Sequence, residues 1–446
     1  MIIPNEIKTI MQRLLDSEYV VNVIGGAVRD YMLGIVPHDY DLFTNATGSQ
    51  ILEVFPEGKV LGGKERQAKI LTVMVGDVET SQFRSNGTRT ETGDSLEEHQ
   101  ATCDFYRNAL AVDIDGNFCG DEEIIRKGLE DIENNRLEFV GNAQKRADED
   151  LLRVARGIRF ERKDDLIIEA ETFHVIKDNI SKLKELPVER VRDELLKILS
   201  VTKNSDGTLF KLFMWEVLPV EFKKLMNMQG GKYHKETVGE HSYYSLDAMC
   251  KITDNSLLKL GAILHDIGKS LTQTEDESGT HFYQHEMEGV KIIEKWMEHL
   301  KFSQKDITYV THLIKTHMFG YCAEIQDKTY LKFFDTLEQK GVPVLDYIYL
   351  IYSDYMGNLA KKRIKFGDFL KGNYLYNNYL RLLAEKKPFN ANDLEVNGRD
   401  IIDLMGISGP EIGRVKNNLF EMVAEGKLIN RRDKLLLAMK ETVKEK

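Results

Sequence analysis

Val21-Asn22-Val23-Ile24-Gly25-Gly26-Ala27-Val28-Arg29-Asp30 decides how the first half of the chain is read. A short apolar run, two glycines and a helix-compatible stretch spell a strand, a tight turn and a helix. Such a turn brings backbone N–H groups close to a phosphate. Glycine suits a purely structural turn equally well, so Gly25 and Gly26 alone leave both readings open. Downstream, Pro37-His38-Asp39-Tyr40-Asp41 sets two aspartates at i and i+2. On an extended segment these side chains leave the same side of the strand, where they can share Mg²⁺. A solvated pair in a turn is the alternative, because Asp is common in turns. Glu79, in a second alternating segment, is a candidate third carboxylate ranked after Asp39 and Asp41.

Further out, strand patterns are concentrated over residues 19 to 80, as in Val20 to Ile24 and Ile70 to Val75. Gly87 to Gln100 is polar and rich in Thr and Glu, and predicts a mobile loop before the apolar run Ala109 to Ile114. From about Asp148 the apolar residues recur at helical spacing, as in Leu151, Leu152, Ala155 and Ile158. The fold class expected is therefore α+β, a mixed-sheet head followed by mostly helical regions. Gly230-Gly231 and Pro388 mark plausible joints. The expected division is a head over 1–140, a helical neck over 141–228, a histidine-containing helical domain over 229–385 and a tail over 386–446.

The 446 residues are 42% hydrophobic and 30% charged, ordinary for a globular protein able to bury several cores. Met1 to Thr9 lacks the basic start of a signal peptide, and no apolar run approaches the roughly 20 residues that span a bilayer. A cytoplasmic protein without a membrane partner is expected; the oligomeric state is left open. Cys103, Cys119, Cys250 and Cys322 form no C-x-x-C pair, so no disulfide framework or zinc knuckle is indicated. A net charge of −11 disfavours nucleic-acid binding over the whole surface and requires a concentrated basic face for any RNA.

Gly25-Gly26, Asp39, Asp41 and Thr44-Asn45-Ala46-Thr47 together resemble the head of the class II tRNA nucleotidyltransferase and bacterial poly(A) polymerase family. Asp104-Phe105 with Asn108-Ala109 is similar to that family's RRDFxxNA segment, and Glu149-Asp150-Leu151-Leu152-Arg153 to its EDxxR element. Arg156, Arg159 and Phe160 extend that element, and Pro187-Val188-Glu189-Arg190 resembles a further neck motif. The resemblance implies a polymerase beta-like head in which Asp39 and Asp41 bind two Mg²⁺ ions and Gly25, Gly26 and Arg29 bind nucleotide. It also implies that Asp104 and Asn108 position the ribose, and that Asp150 and Arg153 choose the base beside Arg156 and Arg159. At i and i+3 on one helix face, a carboxylate accepts from an exocyclic amine and a guanidinium donates to a carbonyl, which suits ATP and CTP. Without that context the pair reads as an exposed ion pair. Thr102-Cys103 departs from the family's paired arginines, which puts triphosphate contacts in doubt and makes Arg84 or Arg107 the candidate substitutes.

Of 11 histidines, eight lie between His234 and His317, a clustering near carboxylates that favours a metal site. His241, His265-Asp266 and Asp354 resemble in their order the HD phosphohydrolase domain, whose His and Asp set holds a divalent metal that activates water. These four are the expected ligands, the metal's identity being open; His285 and His317 are candidates for a second metal or a substrate phosphate. That resemblance implies action on 2′,3′-cyclic phosphates, 2′-nucleotides or phosphate monoesters. Basic runs at Lys145 to Lys163, Lys361 to Lys365 and Lys427 to Lys434 offer an RNA track. Leu394 to Asp400 and Gly406 to Gly413 resemble the C-terminal segment of HD-containing CCA-adding enzymes. The expected function is addition of the 3′-terminal CCA to tRNA from CTP and ATP. The alternatives are a poly(A) polymerase, a CC- or A-adding enzyme, an RNA-end phosphohydrolase with an inactive head, and a noncatalytic tRNA-binding protein.

Overall fold

Strand β1 (Val21–Ile24) is buried on both faces, which is why it reads as an unbroken run rather than an alternating one. Its one polar member, Asn22, donates to Cys119 Sγ at 3.1 Å. In the computed structural model, residues 1–61, 72–86, 91–230, 234–321 and 325–444 are described. Ile70, Leu71, Gly87 to Thr90, Gly231 and Cys322, all used in the sequence reading, lie outside the described residues.

The chain folds as two compact units, Met1–Val201 with Asp206–Val217, and Thr202–Ser205 with Leu218–Lys446. In the first, α1 (Asn5–Asp16) buries Ile7, Ile10, Met11 and Leu14, one face of a 3.6-residue repeat. α2 (Gly26–Met32) follows β1, and β2 (Asp41–Thr44) returns antiparallel to it. Thr47 then caps α3 (Gly48–Val54) in a reciprocal box with Gln50. β3 (Lys59–Val60), β4 (Thr72–Val75), β5 (Val78–Gln82), β6 (Ala111–Val112) and β7 (Phe118–Cys119) complete a sheet of order β3-β4-β5-β2-β1-β6-β7. Only the β2–β5 pairing in it is parallel.

The expected mobile loop over 87–100 contains order instead. α4 (Leu96–Ala101) is capped by Ser95, whose Oγ accepts from Glu98 N at 3.2 Å, and it buries Leu96, His99 and Gln100. The polar composition hid a cap and a first turn rich in Glu. Beyond the sheet come α5 (Glu122–Glu133), β8 (Arg136–Leu137), α6 (Ala143–Glu149), α7 (Leu152–Asp164) and β9 (Ile167–Ile168), then α8 (Ala170–Asn179), α9 (Val188–Val201) and α10 (Thr208–Val217).

Among the described residues the second unit is helical apart from one hairpin that the sequence reading did not anticipate. It runs through α11 (Val220–Leu225), α12 (Val238–Cys250), α13 (Ser256–Leu264) and α14 (Lys269–Thr272). The hairpin of β10 (Gln273–Asp276) and β11 (Gly279–Phe282) follows, then α15 (His285–His299), α16 (Gln304–Thr316), α17 (Asp327–Gln339) and α18 (Val344–Gly357). α19 (Phe366–Gly372), α20 (Tyr374–Ala384), α21 (Gly398–Met405), α22 (Pro410–Ala424) and α23 (Arg432–Lys444) complete it. No helix among the described residues is long and apolar enough to cross a membrane.

Candidate functional site

Gly25 sits at φ +89°, a conformation that L side chains rarely adopt, and this lets the chain turn from β1 directly into α2. The turn opens onto a cavity of about 490 Å³ lined by Gly25, Gly26, Arg29, Asp41, Glu79, Arg84, Asp104, Asn108, Asp150, Arg153, Arg156 and Arg159, among others. Nearly all the expected head residues thus converge on one space.

Asp39 does not line it. The strand begins only at Asp41, so the alternation expected of an i, i+2 pair does not apply, and Asp39 is exposed just before the strand. Glu79 takes the place beside Asp41, as its register partner across the parallel β2–β5 pairing. Burial first, then the charges of Glu79 and Asp39, push the Asp41 carboxyl up to about 6, with Arg84 opposing them. Neighbouring carboxylates with a buried member raised in this way are the donor set a divalent cation would neutralise.

The floor is a continuous hydrogen-bonded chain. Arg29 Nη1 donates to Asn108 Oδ1 at 2.8 Å, Asn108 Nδ2 to Asp104 Oδ1 at 3.3 Å, and Arg156 Nε to Asp104 Oδ2 at 2.7 Å. Although burial raises the Asp104 carboxyl, Arg156 holds it below the usual range. Phe160 lies beneath three guanidiniums, those of Arg29, Arg156 and Arg159, at 5.6, 5.6 and 4.8 Å.

The base-selecting pair departs from the expected geometry. Asp150 is not on a helix with Arg153; it caps the end of α6 in extended conformation, and α7 begins after it. Arg153 reaches back from α7 to Glu149 Oε2 at 2.9 Å and to the Thr102 carbonyl at 2.6 Å, against the Thr102-Cys103 wall. Of the two candidate substitutes for the missing arginines, Arg84 lines the cavity, with its guanidinium 5.5 Å from the Phe43 ring centre. Arg107 does not. It is fully buried, 3.9 Å from Asp164, and is corrected to a core residue. His99, whose ring lies tilted against Phe43 with centroids 4.1 Å apart and accepts from Arg84 N, was missed because it fell in the segment read as a loop.

In the second unit, His241, His265, Asp266 and Asp354 meet in one buried cluster, and His285 and His317 join it. His241 Nε2 is 3.1 Å from Asp354 Oδ1 and 3.3 Å from His265 Nε2. Asp266 faces both sides, with Oδ2 at 3.4 Å from His265 and Oδ1 at 3.3 Å from His285. His285 and His317 bring their Nε2 atoms to 3.1 Å. The Nδ1 atoms of His265, His285 and His317 hydrogen bond at 2.7 to 2.9 Å to the carbonyls of Ala262, Phe282 and Ile314, each three residues earlier. A carbonyl only accepts, so each Nδ1 carries the proton and each Nε2 lone pair points inward. Lone pairs this close need a proton or a cation between them. Burial opposes charge on His265, yet Asp266 and Asp354 raise it to about 10, while burial of Asp266 is more than offset by Lys269 and His265.

Two partners here carried no sequence signal. Glu236, buried and held at about 2 against its own burial by His241 and His234, lies 3.7 Å from His241 Nδ1. Lys269 Nζ is 2.6 Å from Asp266 Oδ2. Gly268 permits this packing, since a Cβ there would lie 1.9 Å from the His285 carbonyl oxygen. The basic run at the C-terminus is largely neutralised: Lys427 pairs with Glu425, Arg431 with Asp433 and Arg432 with Asp400.

Three protein families match along the chain. The poly A polymerase head domain covers residues 21–138, the probable RNA and SrmB-binding site of polymerase A 165–208, and the HD domain 238–340. The CCA-adding enzyme of Ligilactobacillus salivarius is 26% identical, covering 100% of this chain and 98% of its own. That of Limosilactobacillus reuteri is 34% identical over 205 residues, 43% of this chain and 48% of its own. The solved CCA-adding enzyme of Bacillus stearothermophilus in complex with CTP matches 99% of this chain and 98% of its own, at 18% identity and a TM-score of 0.57. A tRNA nucleotidyltransferase complexed with a primer tRNA and an incoming ATP analog matches 84% of this chain and 99% of its own, at 16% identity and a TM-score of 0.55. The chain thus joins a poly A polymerase head domain to a polymerase A RNA-binding segment and an HD domain, and over its full length it is similar to CCA-adding enzymes.

Proposed function

We propose that this chain is a tRNA nucleotidyltransferase that adds or restores the 3′-terminal CCA of tRNA from CTP and ATP. The observation that carries the reading is the shared cavity, which Asp41 and Glu79 line together with Asp150 and Arg153. Asp41 and Glu79, with Asp39 nearby, would hold Mg²⁺; when bound, it lowers the pKa of an attacking hydroxyl and neutralises a leaving pyrophosphate. Asp104 and Asn108, locked by Arg156 and Arg29, offer a fixed set of hydrogen-bonding groups to a ribose. Arg84, Arg159 and Lys163 set positive charge along the cavity, where a triphosphate needs it. Asp150 accepts from an amino edge and Arg153 donates to the neighbouring ring-nitrogen acceptor, a combination that admits C and A and opposes U and G.

The deciding experiment incubates tRNA lacking its terminus with each nucleoside triphosphate and sequences the extension. C, C and A are expected, in that order. Extension by CC alone, by A alone or by many A residues would replace the reading with the corresponding partial or poly(A) activity. No extension by any nucleotide would overturn it.

A second activity is favoured by the facing Nε2 atoms of the HD cluster. His241, His265, Asp266 and Asp354 would hold one divalent ion, and His285 and His317 share Asp266 for another. A cation there supplies Lewis acidity and an activated water for phosphoester hydrolysis. Release of phosphate from RNA ending in a 2′-phosphate, or opening of a terminal 2′,3′-cyclic phosphate to a monoester, tests it.

A further inference from the structure

Asp150 does not stand alone at the cavity edge. Arg190 Nη2, from the first turn of α9, lies 3.0 Å from Asp150 Oδ1 and 3.0 Å from Oδ2. One nitrogen thus straddles both oxygens, which restrains the direction in which the carboxylate points, and Asp150 lines the cavity. The backbone contributes one hydrogen bond, from Leu152 N to Asp150 Oδ1 at 3.2 Å, but it reaches only one of the two oxygens that Arg190 holds; Asp150 itself is an extended residue between α6 and α7, with φ −149° and ψ 99°. One turn farther along α9, Glu194 grips Arg159 at 2.5 Å. α9 therefore holds two cavity residues from one of its faces while Arg190 itself does not line the cavity.

We infer that Arg190 is a positioning residue for base selection: it aims the Asp150 carboxylate so that an amino-bearing base is accepted and a base with a carbonyl at that edge is refused. The inference rests on the nucleotidyltransferase reading given above. A carboxylate free to rotate presents lone pairs in several directions and can be bridged by water, so discrimination falls even though every group that touches the nucleotide is still present. The Arg190 side chain is 44% exposed and that of Asp150 15%; when Arg190 is replaced, Asp150 keeps its hydrogen bond from Leu152 N and its opening onto the cavity.

The experiment measures kcat/KM for CTP and for UTP at the first position of a truncated tRNA, using the full chain. Arg190→Gln should lower the CTP-to-UTP ratio at least tenfold, chiefly through a higher KM for CTP, with an unchanged melting temperature. Arg190→Lys should recover part of the ratio. In an Asp150→Ala background, Arg190→Gln should change the ratio no further. Arg192→Gln, which removes a like charge from the same helix where it pairs with Asp193, should keep the wild-type ratio. A wild-type ratio in Arg190→Gln, or an equal fall in Arg192→Gln, overturns the inference alone. Should Arg190→Gln fail to fold, Arg190→Lys decides, a wild-type ratio again counting against. A wild-type protein that extends tRNA with no nucleotide overturns the underlying reading, and this inference with it.

Discussion

Asp41 and Glu79 leave neighbouring parallel strands side by side, although 38 positions of sequence numbering separate them. Asp41→Asn should cut kcat/KM for CTP incorporation by about 1000-fold or more, the scale of losing several kcal/mol of charge stabilisation. Glu79→Gln should cost less, about tenfold, and raise the Mg²⁺ concentration needed for half-maximal rate. Single-nucleotide extension assays over a Mg²⁺ titration check both. A Glu79→Gln enzyme with the wild-type Mg²⁺ curve would remove Glu79 from the cation site.

Arg107 is expected to be silent in catalysis. Its guanidinium is buried away from the cavity, and burial lowers its pKa. Removing one member of a buried ion pair leaves the other uncompensated, and Asp164, at 20% exposure, is only partly relieved by water. Arg107→Leu should keep KM for CTP at the wild-type value while lowering stability by about 3 kcal/mol. Kinetics with urea titration test the pair of outcomes, and a raised KM would put Arg107 back among the phosphate contacts.

Cation uptake by the second unit should follow the position of Asp266 between two histidine pairs. In calorimetric Mn²⁺ titrations, Asp266→Ala should lose all uptake by this cluster, and His285→Ala only part. Chelation should lower the melting temperature of the wild type and leave that of Asp266→Ala unchanged. Equal uptake by wild type and Asp266→Ala would rule the cluster out.

Acid should destabilise the second unit through His312. Burial, aided by Lys315 and Lys340, lowers its pKa to about 4, and its Nε2 has no hydrogen-bond partner among the described residues. The unfolded state, with an ordinary histidine, binds more protons between pH 6.5 and 4, so stability is retained above 6.5 and lost as pH falls. The slope from this group approaches about 1.4 kcal/mol per pH unit. Urea titrations at pH 7.5, 6 and 5 should show a shallower acid loss in His312→Leu than in the wild type.

Much of this was legible in the sequence where function and local geometry coincide. Val21 to Asp30 is a strand, turn and helix because glycine and apolar runs dictate it, and the spacing of His241, His265-Asp266 and Asp354 identified residues that α12, α13 and α18 bring together. What stayed hidden depends on tertiary pairing. Nothing local places Glu79 beside Asp41, since strand neighbours are chosen by the whole sheet. Asp150 and Arg153 read as one helical turn, but the chain breaks between α6 and α7 and lets Arg190 in. Polarity made Gly87 to Gln100 look like a loop, whereas the Ser95 cap and the burial of His99 order its second half.

The tethering of three imidazoles to peptide carbonyls has an evolutionary corollary. Their bearing is inherited from main-chain geometry, which survives side-chain replacement, so drift in the surrounding walls can change which ion or ester is welcomed without dismantling the frame that aims the nitrogens. Such a centre is evolvable at its periphery and conservative at its pivot.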